Sequence, residues 1–315
     1  MRKISLIGAG NIGGSLAAII ARKNLGDIML IDVIPGIAQG KALDLIQSSS
    51  ITNSSVSVKG SSNLSDIKNS DVIIVTAGIA RKPGMSRDDL IETNLEIMKE
   101  IGIAIKKNSP SAFVICVTNP LDAMVWSLKK ISGLKKNMIV GMAGILDSAR
   151  LNYFLSSELK ISTENITSLV LGGHGDTMVP LLKYTSVNGI PILDMVKLGF
   201  ISMNKLEEIV DRTRNGGGEI VKLMKSSSAF DAPATSAIEM AESFILNKRK
   251  LLPCSAFLNG EYGIKDLFVG VPIIIGKSGV EKIVQIKFDN NEKLDFKKSV
   301  SAVMQLTQKC KKLLV

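Results

Sequence analysis

The chain contains a single histidine, His174, which lies in the glycine-rich segment 172–176. An imidazole has an unperturbed pKa of about 6.5, so both of its protonation states are accessible near neutral pH. Any imidazole-based proton transfer in this protein must therefore use His174. Three glycines surround the residue and Pro180 follows, which indicates a backbone shaped to present the side chain. His174 is a candidate acid-base residue, and the alternative is an imidazole with only a surface or core role.

Four charged residues could bind or polarise an anionic substrate next to such a histidine. Asp147 and Arg150 are three residues apart in a helical segment, which places both on one helix face. Arg81 and Arg87 lie in a loop after a predicted strand. Taken separately, the pair could be a surface ion pair and the loop a solvated basic turn. Together with His174, these residues would supply an acid-base unit and three guanidinium groups.

The N-terminal segment has the pattern of a dinucleotide-binding turn. A short apolar run, 3–7, precedes a Gly-x-Gly-x-x-Gly turn, and a helical segment follows the turn. The three glycines permit a tight turn, close approach of the backbone to a pyrophosphate, and close packing of the helix on the strand. The helix N-terminus adds amide donors and the positive end of its dipole. The expected cofactor-binding residues of the turn are Gly8, Ala9, Gly10, Asn11, Ile12 and Gly13.

Asp32 ends the second apolar run and would accept hydrogen bonds from two ribose hydroxyls. A 2′-phosphate beside this carboxylate would place like charges together, and no Arg or Lys lies between Asp32 and Gln39. The pattern therefore favours NAD over NADP. Two alternatives use similar residues. One is a methyltransferase, whose ligand lacks a pyrophosphate and needs the third glycine less, and the other is a glycine turn that binds no ligand.

The segment from Ile4 to Ala21 carries no charge and follows Arg2 and Lys3, so it also resembles a signal peptide or a membrane span. Four glycines and Asn11 interrupt it, however, and they place a turn at its centre. A strand, a turn and a helix explain this composition better than a single apolar helix does.

Strands and helical segments alternate through residues 1–143, and one helix is predicted over 90–107. The predicted strands are 3–7, 28–31, 56–58, 71–78, 112–117 and 138–141. This alternation implies the parallel, doubly wound sheet of a Rossmann fold, with its ligand crevice at the carboxyl ends of the strands. Gly78, Asn119 and Gly144 fall at that edge. The expected first domain, 1–143, is an NAD-binding domain.

Residues 144–315 are expected to form a second, mixed α/β (α+β) domain that carries the substrate-binding groups. The segment 203–247 is mostly helical, with a predicted interruption at the glycines 216–218. The segment 253–288 holds short β-rich runs between turn residues, which predicts a meander. A final helix carries a core-facing apolar stripe. The stripe consists of Phe296, Val300, Val303, Met304, Cys310 and Leu314.

Composition narrows the function further. The 315 residues are 45% hydrophobic and 22% charged, which is typical of a soluble globular protein, and their length suggests two lobes. The net charge of +10 comes from scattered lysines, and aromatic residues make up only 4%, so a nucleic-acid partner is not expected. Three widely spaced cysteines favour a reducing cytoplasm. One histidine argues against a His-based metal site, and no metal is expected.

Several motifs together resemble the malate-specific members of the lactate/malate dehydrogenase family, in its lactate-dehydrogenase-like branch. They are the glycine turn, the loop 81–87, the segments 117–120 and 146–150, and the histidine segment 173–176. The resemblance extends from the first strand to at least Ile286. It implies an NAD-dependent, reversible oxidation of (S)-malate to oxaloacetate, a step of the tricarboxylic acid cycle. It also implies a homo-oligomer, with a tetramer favoured over a dimer, in the cytoplasm and away from membranes.

The resemblance assigns a role to each charged candidate. His174 takes the proton of the malate hydroxyl group and returns it in the reverse direction, and Asp147 binds the other ring nitrogen. Arg150 binds the C1 carboxylate with a planar, bidentate guanidinium. Arg87 polarises the C2 carbonyl of oxaloacetate. Arg81 lies where lactate enzymes carry a neutral glutamine, so it is expected to bind the second carboxylate.

The resemblance also adds residues around the cofactor. Asn119 is expected to form a hydrogen bond near the reacting oxygen. Asn94, Val117, Thr118 and Asn119 are expected to line the cofactor. Other dehydrogenase classes do not fit, because no tyrosine precedes a lysine by four positions and too few Cys and His are present for a zinc alcohol dehydrogenase.

One segment departs from the family pattern. Malate members usually have Gly-Ser-Ala-aromatic-Tyr-Ala-Pro, whereas this chain has an aspartate, Asp231, at the tyrosine position of 227–233. A carboxylate pointing into a pocket for a dianion would weaken substrate binding. The direction of the Asp231 side chain therefore decides whether the departure affects the substrate or the packing of subunits.

Overall fold

The first half of the chain alternates strands with helices, as the sequence predicts. The computed structural model describes residues 1–79, 87–225 and 227–314, and it describes only the backbone of 87–89. The elements of the first half are β1 (Lys3–Ile7), α1 (Asn11–Arg22), β2 (Asp27–Ile31), α2 (Ile37–Gln47), α3 (Ser49–Thr52), β3 (Val58–Ser61), β4 (Val72–Val75), α4 (Arg87–Asn108), β5 (Phe113–Cys116), α5 (Leu121–Ser132) and β6 (Ile139–Gly141).

The second half begins with a helix and ends with one, and a hairpin and several short strands lie between them. Its elements are α6 (Gly144–Leu159), β7 (Ile166–Thr167), β8 (Val170–Leu171), β9 (Val179–Pro180), β10 (Ser186–Val187), β11 (Ile190–Pro191), α7 (Ile192–Lys197), α8 (Met203–Met224), α9 (Asp231–Ile245), β12 (Lys250–Asn259), β13 (Lys265–Gly276), β14 (Gly279–Ile283) and α10 (Asn290–Leu313).

The strands of the first half form a parallel sheet in the order β6-β5-β4-β1-β2-β3. This is the strand order of a Rossmann fold. β4 and β5 are buried along their whole length, because helices cover both faces of the sheet. The predicted Rossmann fold is confirmed. The apparent membrane segment is strand, turn and helix, and no helix within the described ranges is long and apolar enough to cross a bilayer.

The hairpin of the second half extends the same sheet. β12 and β13 pair in antiparallel register, with Lys250 opposite Ile275, and Ser255 of β12 lies opposite Gly141 of β6. A Cβ at position 141 would stand 2.9 Å from the Ser255 Cβ, so the glycine allows the two strands to approach. The predicted meander is confirmed as β12, β13 and β14, which end at Ile283.

Two predictions about local structure are wrong. The third strand lies at Val58–Ser61 and not at 56–58, because it is an edge strand whose polar residues give no hydrophobic signal. The glycines 216–218 do not interrupt a helix; they lie inside α8, and the chain leaves the helix at Lys225, which has a φ of 60°. Glycine costs a helix about 1 kcal/mol relative to alanine, and packing against α6 offsets this cost.

The final helix buries most of the predicted stripe. Phe296, Val303 and Cys310 are buried, Val300 and Leu314 are half-buried against the core, and only Met304, which is 42% exposed, departs from the prediction. The polar residues Ser299 and Thr307 are buried with the first three. Their spacing of three or four residues places all five on one helix face, so tertiary packing selects a face that hydrophobicity alone does not define.

Candidate active site

The glycine turn has the geometry of a phosphate-binding site. Gly8 has a φ of 108°, which L-residues with a side chain rarely adopt. A Cβ at Gly13 would lie 1.9 Å from the Gly8 carbonyl oxygen, so α1 can approach β1 only without a side chain there. A Cβ at Gly10 would contact nothing within 4 Å, which leaves the backbone open on that side. These positions match the three glycine roles expected for a pyrophosphate.

A groove of about 530 Å³ runs along the carboxyl edge of the parallel sheet. Gly8, Gly10, Asn11, Ile12 and Asp32 line it, whereas Ala9 and Gly13 are buried behind the turn. The Asp32 carboxylate accepts hydrogen bonds from the Ala9 amide at 2.8 Å and the Ile34 amide at 3.1 Å. These bonds hold the carboxylate at the end of β2, where a ribose would meet it. The residues present therefore fit an NAD cofactor.

Asn94 and Thr118 support the groove from behind and do not line it. The Asn94 side chain binds the amide of Ile79 at 2.8 Å and the carbonyl oxygen of Asn119 at 2.7 Å. Thr118 Oγ1 donates to the Ala77 carbonyl oxygen at 2.7 Å. These bonds join the ends of β4 and β5 at the crevice. The sequence resemblance placed both residues next to the cofactor, and their contacts hold the backbone that surrounds the groove.

His174, Asp147 and Arg150 form a connected and largely buried group. Asp147 Oδ2 lies 2.9 Å from His174 Nδ1, and Arg150 Nη1 donates to Asp147 Oδ1 at 3.2 Å. The Asp147 side chain is only 2% exposed, against 12% for His174 and 15% for Arg150. Both α6 residues lie on one helix face, as their spacing predicts. Because Nδ1 is held by the carboxylate, Nε2 is the ring nitrogen left for a substrate.

Opposing effects determine the pKa of His174. Burial disfavours the charged imidazolium, whereas the charge of Asp147 and its hydrogen bond to Nδ1 favour that form. The balance places the pKa of His174 above its ordinary value of 6.5. A protonated His174 is therefore accessible at neutral pH, which suits an acid that delivers a proton to a carbonyl oxygen.

The imidazole and the guanidinium open into a cavity of about 330 Å³. Val117 and Asn119 line the same cavity, at the carboxyl end of β5. Ile12, Ser228 and Ala229 line both this cavity and the cofactor groove, so the two are contiguous. A substrate next to His174 would therefore meet a cofactor lying in the groove.

Arg214 of α8 is a further cation at the cavity that the sequence analysis missed. It lines the cavity, and its Nη1 donates to Asp211 Oδ1 at 3.0 Å. The side chain is 30% exposed, and its Nε donates to the Met178 carbonyl oxygen at 3.4 Å. No motif distinguishes Arg214 from a surface arginine, since only the packing of α8 against α6 brings it to the cavity. With Arg150, it makes the cavity attractive to an anion.

The structure also gives the direction of the Asp231 side chain. Ser15 Oγ of α1 donates to Asp231 Oδ1 at 3.0 Å, so the carboxylate faces α1. From the described residues of this segment, Ser228, Ala229 and Pro233 line the substrate cavity. The departure from the family pattern therefore does not place a negative charge among the substrate-binding groups.

The side chains of the other two predicted arginines lie outside the described part of the structure. Arg81 lies outside the described residues, and of Arg87 only the backbone is described, as the first residue of α4. The sequence predicts Arg87 in a loop, whereas this residue begins α4.

The three cysteines are free and buried, and burial raises the pKa of the Cys116 thiol to about 12. In the described ranges, no cluster of His, Cys, Asp or Glu could hold a metal ion.

Comparisons with known proteins agree with this geometry. Residues 2–141 match the family model "lactate/malate dehydrogenase, NAD binding domain", and residues 145–314 match "lactate/malate dehydrogenase, alpha/beta C-terminal domain". A malate dehydrogenase of Methylobacterium radiotolerans is 55% identical over 309 residues, which are 98% of this chain and 97% of that protein.

Solved structures give the same picture. The crystal structure of Cryptosporidium parvum malate dehydrogenase superposes with a TM-score of 0.97 at 44% identity, covering 99% of this chain and 100% of that chain. A lactate dehydrogenase of the same organism, complexed with lactic acid and β-nicotinamide adenine dinucleotide, superposes with a TM-score of 0.95 at 40% identity, covering 98% of each chain. This chain belongs to the lactate/malate dehydrogenase family.

Proposed function

We propose that the protein is an NAD-dependent malate dehydrogenase, which interconverts (S)-malate and oxaloacetate. The observation that carries the proposal is the bonded group of His174, Asp147 and Arg150, at a cavity contiguous with the groove beside the glycine turn. The similarity to malate dehydrogenases over nearly the whole chain supports malate as the substrate. The nicotinamide, when bound, accepts or returns the hydride.

His174 moves the proton that accompanies the hydride. In malate oxidation, Nε2 takes the proton of the C2 hydroxyl group, and in oxaloacetate reduction it returns that proton to the carbonyl oxygen. Asp147 holds Nδ1 as a donor, so Nε2 is free to accept, and its charge stabilises the imidazolium that forms. Without Asp147, neither the orientation of the ring nor the stabilisation of the imidazolium would remain.

Arginines bind and polarise the dicarboxylate. Arg150 is already oriented by Asp147, so its planar guanidinium meets the C1 carboxylate with little loss of side-chain freedom. We assign the second carboxylate to Arg81 and the polarisation of the C2 carbonyl to Arg87, and Asn119 adds a hydrogen bond at the reacting oxygen. A neutral residue at position 81 would suit pyruvate, whose methyl group replaces the second carboxylate.

The two halves of the chain divide this work in the proposal. Residues 1–143 hold the cofactor in the groove that Gly8, Gly10, Asn11, Ile12 and Asp32 line, next to Val117 and Asn119. Residues 144–315 carry the acid-base pair and Arg150. Asp32 sets the preference for NAD, because a 2′-phosphate would meet its carboxylate.

We also propose that the protein is a homo-oligomer, with a tetramer favoured over a dimer. Apolar side chains on α2 and α3 support association, since Leu43 is 60% exposed and Ile51 is 82% exposed. Three free, buried cysteines suit a reducing cytoplasm, where the enzyme would serve the tricarboxylic acid cycle. Sedimentation equilibrium at several protein concentrations would give the number of subunits, and a monomer at micromolar concentration would contradict the proposal.

One assay tests the activity itself. Purified protein is mixed with NADH and either oxaloacetate or pyruvate, and the loss of NADH absorbance is followed. We expect oxaloacetate to be reduced with a kcat/KM that exceeds the value for pyruvate by a few powers of ten. Equal efficiency with pyruvate would contradict the choice of malate, and no oxidation of NADH with either acid would contradict the enzyme class.

A further inference from the structure

A second carboxyl group, besides that of Asp147, lies next to the loop 172–176 that carries His174, and it belongs to Asp122. It is in the first turn of α5, and only 5% of the residue is exposed. Its Oδ2 accepts a hydrogen bond from the His174 backbone amide at 3.0 Å, and Ser255 Oγ of β12 lies 2.6 Å from its Oδ1. A buried carboxylate is costly unless it is paired, so its place in an otherwise apolar turn calls for a role.

The loop that carries His174 needs external support. Gly172 has a φ of 84° and Gly175 a φ of 156°, and such glycines leave the backbone free to move unless it is bonded. Two side chains accept hydrogen bonds from backbone amides of this loop. Ser299 Oγ of α10 accepts from the Gly173 amide at 2.8 Å, and Asp122 accepts from the next amide. Of the two supporting side chains, Ser299 and Asp122, only Asp122 is ionisable.

Several charged groups act on the imidazole from the elements packed around it. Asp147 and Arg150 face it from α6. Asp176 of its own loop lines the same cavity, as does Arg214 of α8. Asp122 faces it from α5, on the side of the backbone amide. Behind Asp122 lies the Cys116 thiol of β5, which burial keeps protonated.

We propose that Asp122 is a positioning residue for His174, which holds the loop through the His174 amide and places a second buried negative charge behind the imidazole. This inference rests on the proposed role of His174 as the proton carrier. Asp147 fixes one ring nitrogen, and Asp122 fixes the backbone from which the ring extends. The two carboxylates together favour the imidazolium that proton delivery to oxaloacetate requires.

Electrostatics agrees with this arrangement. Burial raises the pKa of the Asp122 carboxyl group, and the hydrogen bonds from Ser255 and from the His174 amide oppose that rise. Burial also acts against protonation of His174, whereas Asp147 and, more weakly, Asp122 favour it and raise its pKa. The net pKa of the Asp122 carboxyl group lies above its ordinary value, and the two hydrogen bonds limit that rise.

The single histidine makes a direct test possible. In protein labelled with ¹⁵N-histidine and made without a polyhistidine tag, the ring and amide signals all come from His174. Asp122→Asn keeps an acceptor for the amide and removes the charge. We expect the pKa of His174 to fall in this variant, because the charge of Asp122 favours the imidazolium. Glu242→Gln is the matched control, because Glu242 is also buried but pairs with Lys23 and Lys248. A titration of Asp122→Asn that superimposes on the wild-type curve would overturn the proposal.

A second variant serves if Asp122→Asn does not fold. Ser255→Ala leaves the carboxylate in place and removes one of its two hydrogen bonds. We expect the His174 amide resonance to shift, because its acceptor is the same carboxylate. If both the amide resonance and the ring titration are unchanged in this variant, the proposal fails.

Kinetics completes the test. As the pH is raised, the single-turnover rate of oxaloacetate reduction should begin to fall at a lower pH in Asp122→Asn than in the wild type. The Kd for NADH should not change. A loss of rate by the same factor at every pH would indicate a merely structural role and would overturn the proposal. Failure of the wild type to reduce oxaloacetate would instead contradict the proposed function, and the resonance measurements remain valid in that case.

Discussion

Gly216 of α8 lies directly against Arg150 of α6, and a Cβ at position 216 would stand 3.2 Å from Arg150 Cδ. This distance is shorter than an ordinary contact between carbon atoms, so a side chain would displace the arginine by a few tenths of an ångström. The neighbouring position is less restrictive, since a Cβ at Gly217 would lie 3.6 Å from Arg150 Nη2. The glycines of α8 therefore leave space for the guanidinium that we assign to the C1 carboxylate.

We predict that Gly216→Ala raises the KM for oxaloacetate about tenfold, which corresponds to about 1.4 kcal/mol of lost binding. Alanine also favours a helix by up to about 1 kcal/mol, so the variant should be no less stable than the wild type. Gly40→Ala, inside α2, is the control, because a Cβ there contacts nothing within 4 Å and Gly40 does not line the cavity. Steady-state kinetics and urea unfolding of both variants give the comparison. A wild-type KM in Gly216→Ala would refute the packing argument.

Replacement of the histidine tests its role in proton transfer. His174→Asn should retain the affinity for NADH, because the groove beside the glycine turn is unchanged. Turnover should fall by at least about 10²-fold, which is the usual contribution of a placed acid-base group. Fluorescence titration with NADH and steady-state kinetics provide the two measurements. Near-normal turnover would exclude His174 as the proton carrier.

The pH dependence should differ in sign between the two directions of the reaction. Reduction of oxaloacetate needs the imidazolium, so its rate should fall as the pH rises through the pKa of His174. Oxidation of malate needs the neutral imidazole, so its rate should fall as the pH decreases through the same pKa. Because the pKa of His174 is raised above 6.5, both transitions should lie above that value. Single-turnover rates isolate the chemical step, and a transition at or below 6.5 would contradict the effect of Asp147.

Cofactor choice should depend on Asp32. The wild type should prefer NADH strongly over NADPH, because the carboxylate is fixed at the groove by the amides of Ala9 and Ile34. Asp32→Ser should narrow the difference in kcat/KM by removing the repulsion of a 2′-phosphate. Asp27→Ser is a control at the opposite end of β2, where the aspartate also accepts from a backbone amide. Comparable wild-type rates with the two cofactors would show that Asp32 does not face the ribose.

Substrate choice should depend on Arg81. Breaking a pair between this arginine and the second carboxylate would cost roughly 2–5 kcal/mol if the pair is shielded from water, because the remaining charge is left unpaired. Arg81→Gln should therefore lower kcat/KM for oxaloacetate by about 10²-fold or more and raise the value for pyruvate, with the Kd for NADH unchanged. Lys82→Gln removes the cation that follows Arg81 in the sequence and should leave the ratio of the two kcat/KM values unchanged. An equal loss in both variants would indicate a general effect of charge.

Local chemistry was enough for the sequence to predict the Rossmann half and the central group of the site. Gly8 and Gly13 have their types because of the local backbone, since Gly8 has a φ of 108° and a Cβ at Gly13 would meet the Gly8 carbonyl oxygen. Asp147 and Arg150 share a helix face because of their spacing. The unique His174 needs no structure to be identified as a candidate. In each case the physical cause lies within one element or at the junction of two.

Tertiary packing decided the remainder, because it depends on contacts between residues distant in the chain. The sequence predicts a break in the helix at Gly216, whereas the packing of α8 against α6 shows that this glycine leaves space for Arg150. Asp231 could have faced the substrate until α1 is placed beside α9, where Ser15 binds it. Asp122 has no distinguishing motif. It meets Ser255 and the His174 amide only because the fold brings α5 next to β12 and the loop of His174. A sequence pattern carries no information on which buried partner will satisfy a polar group, and that partner determines its role.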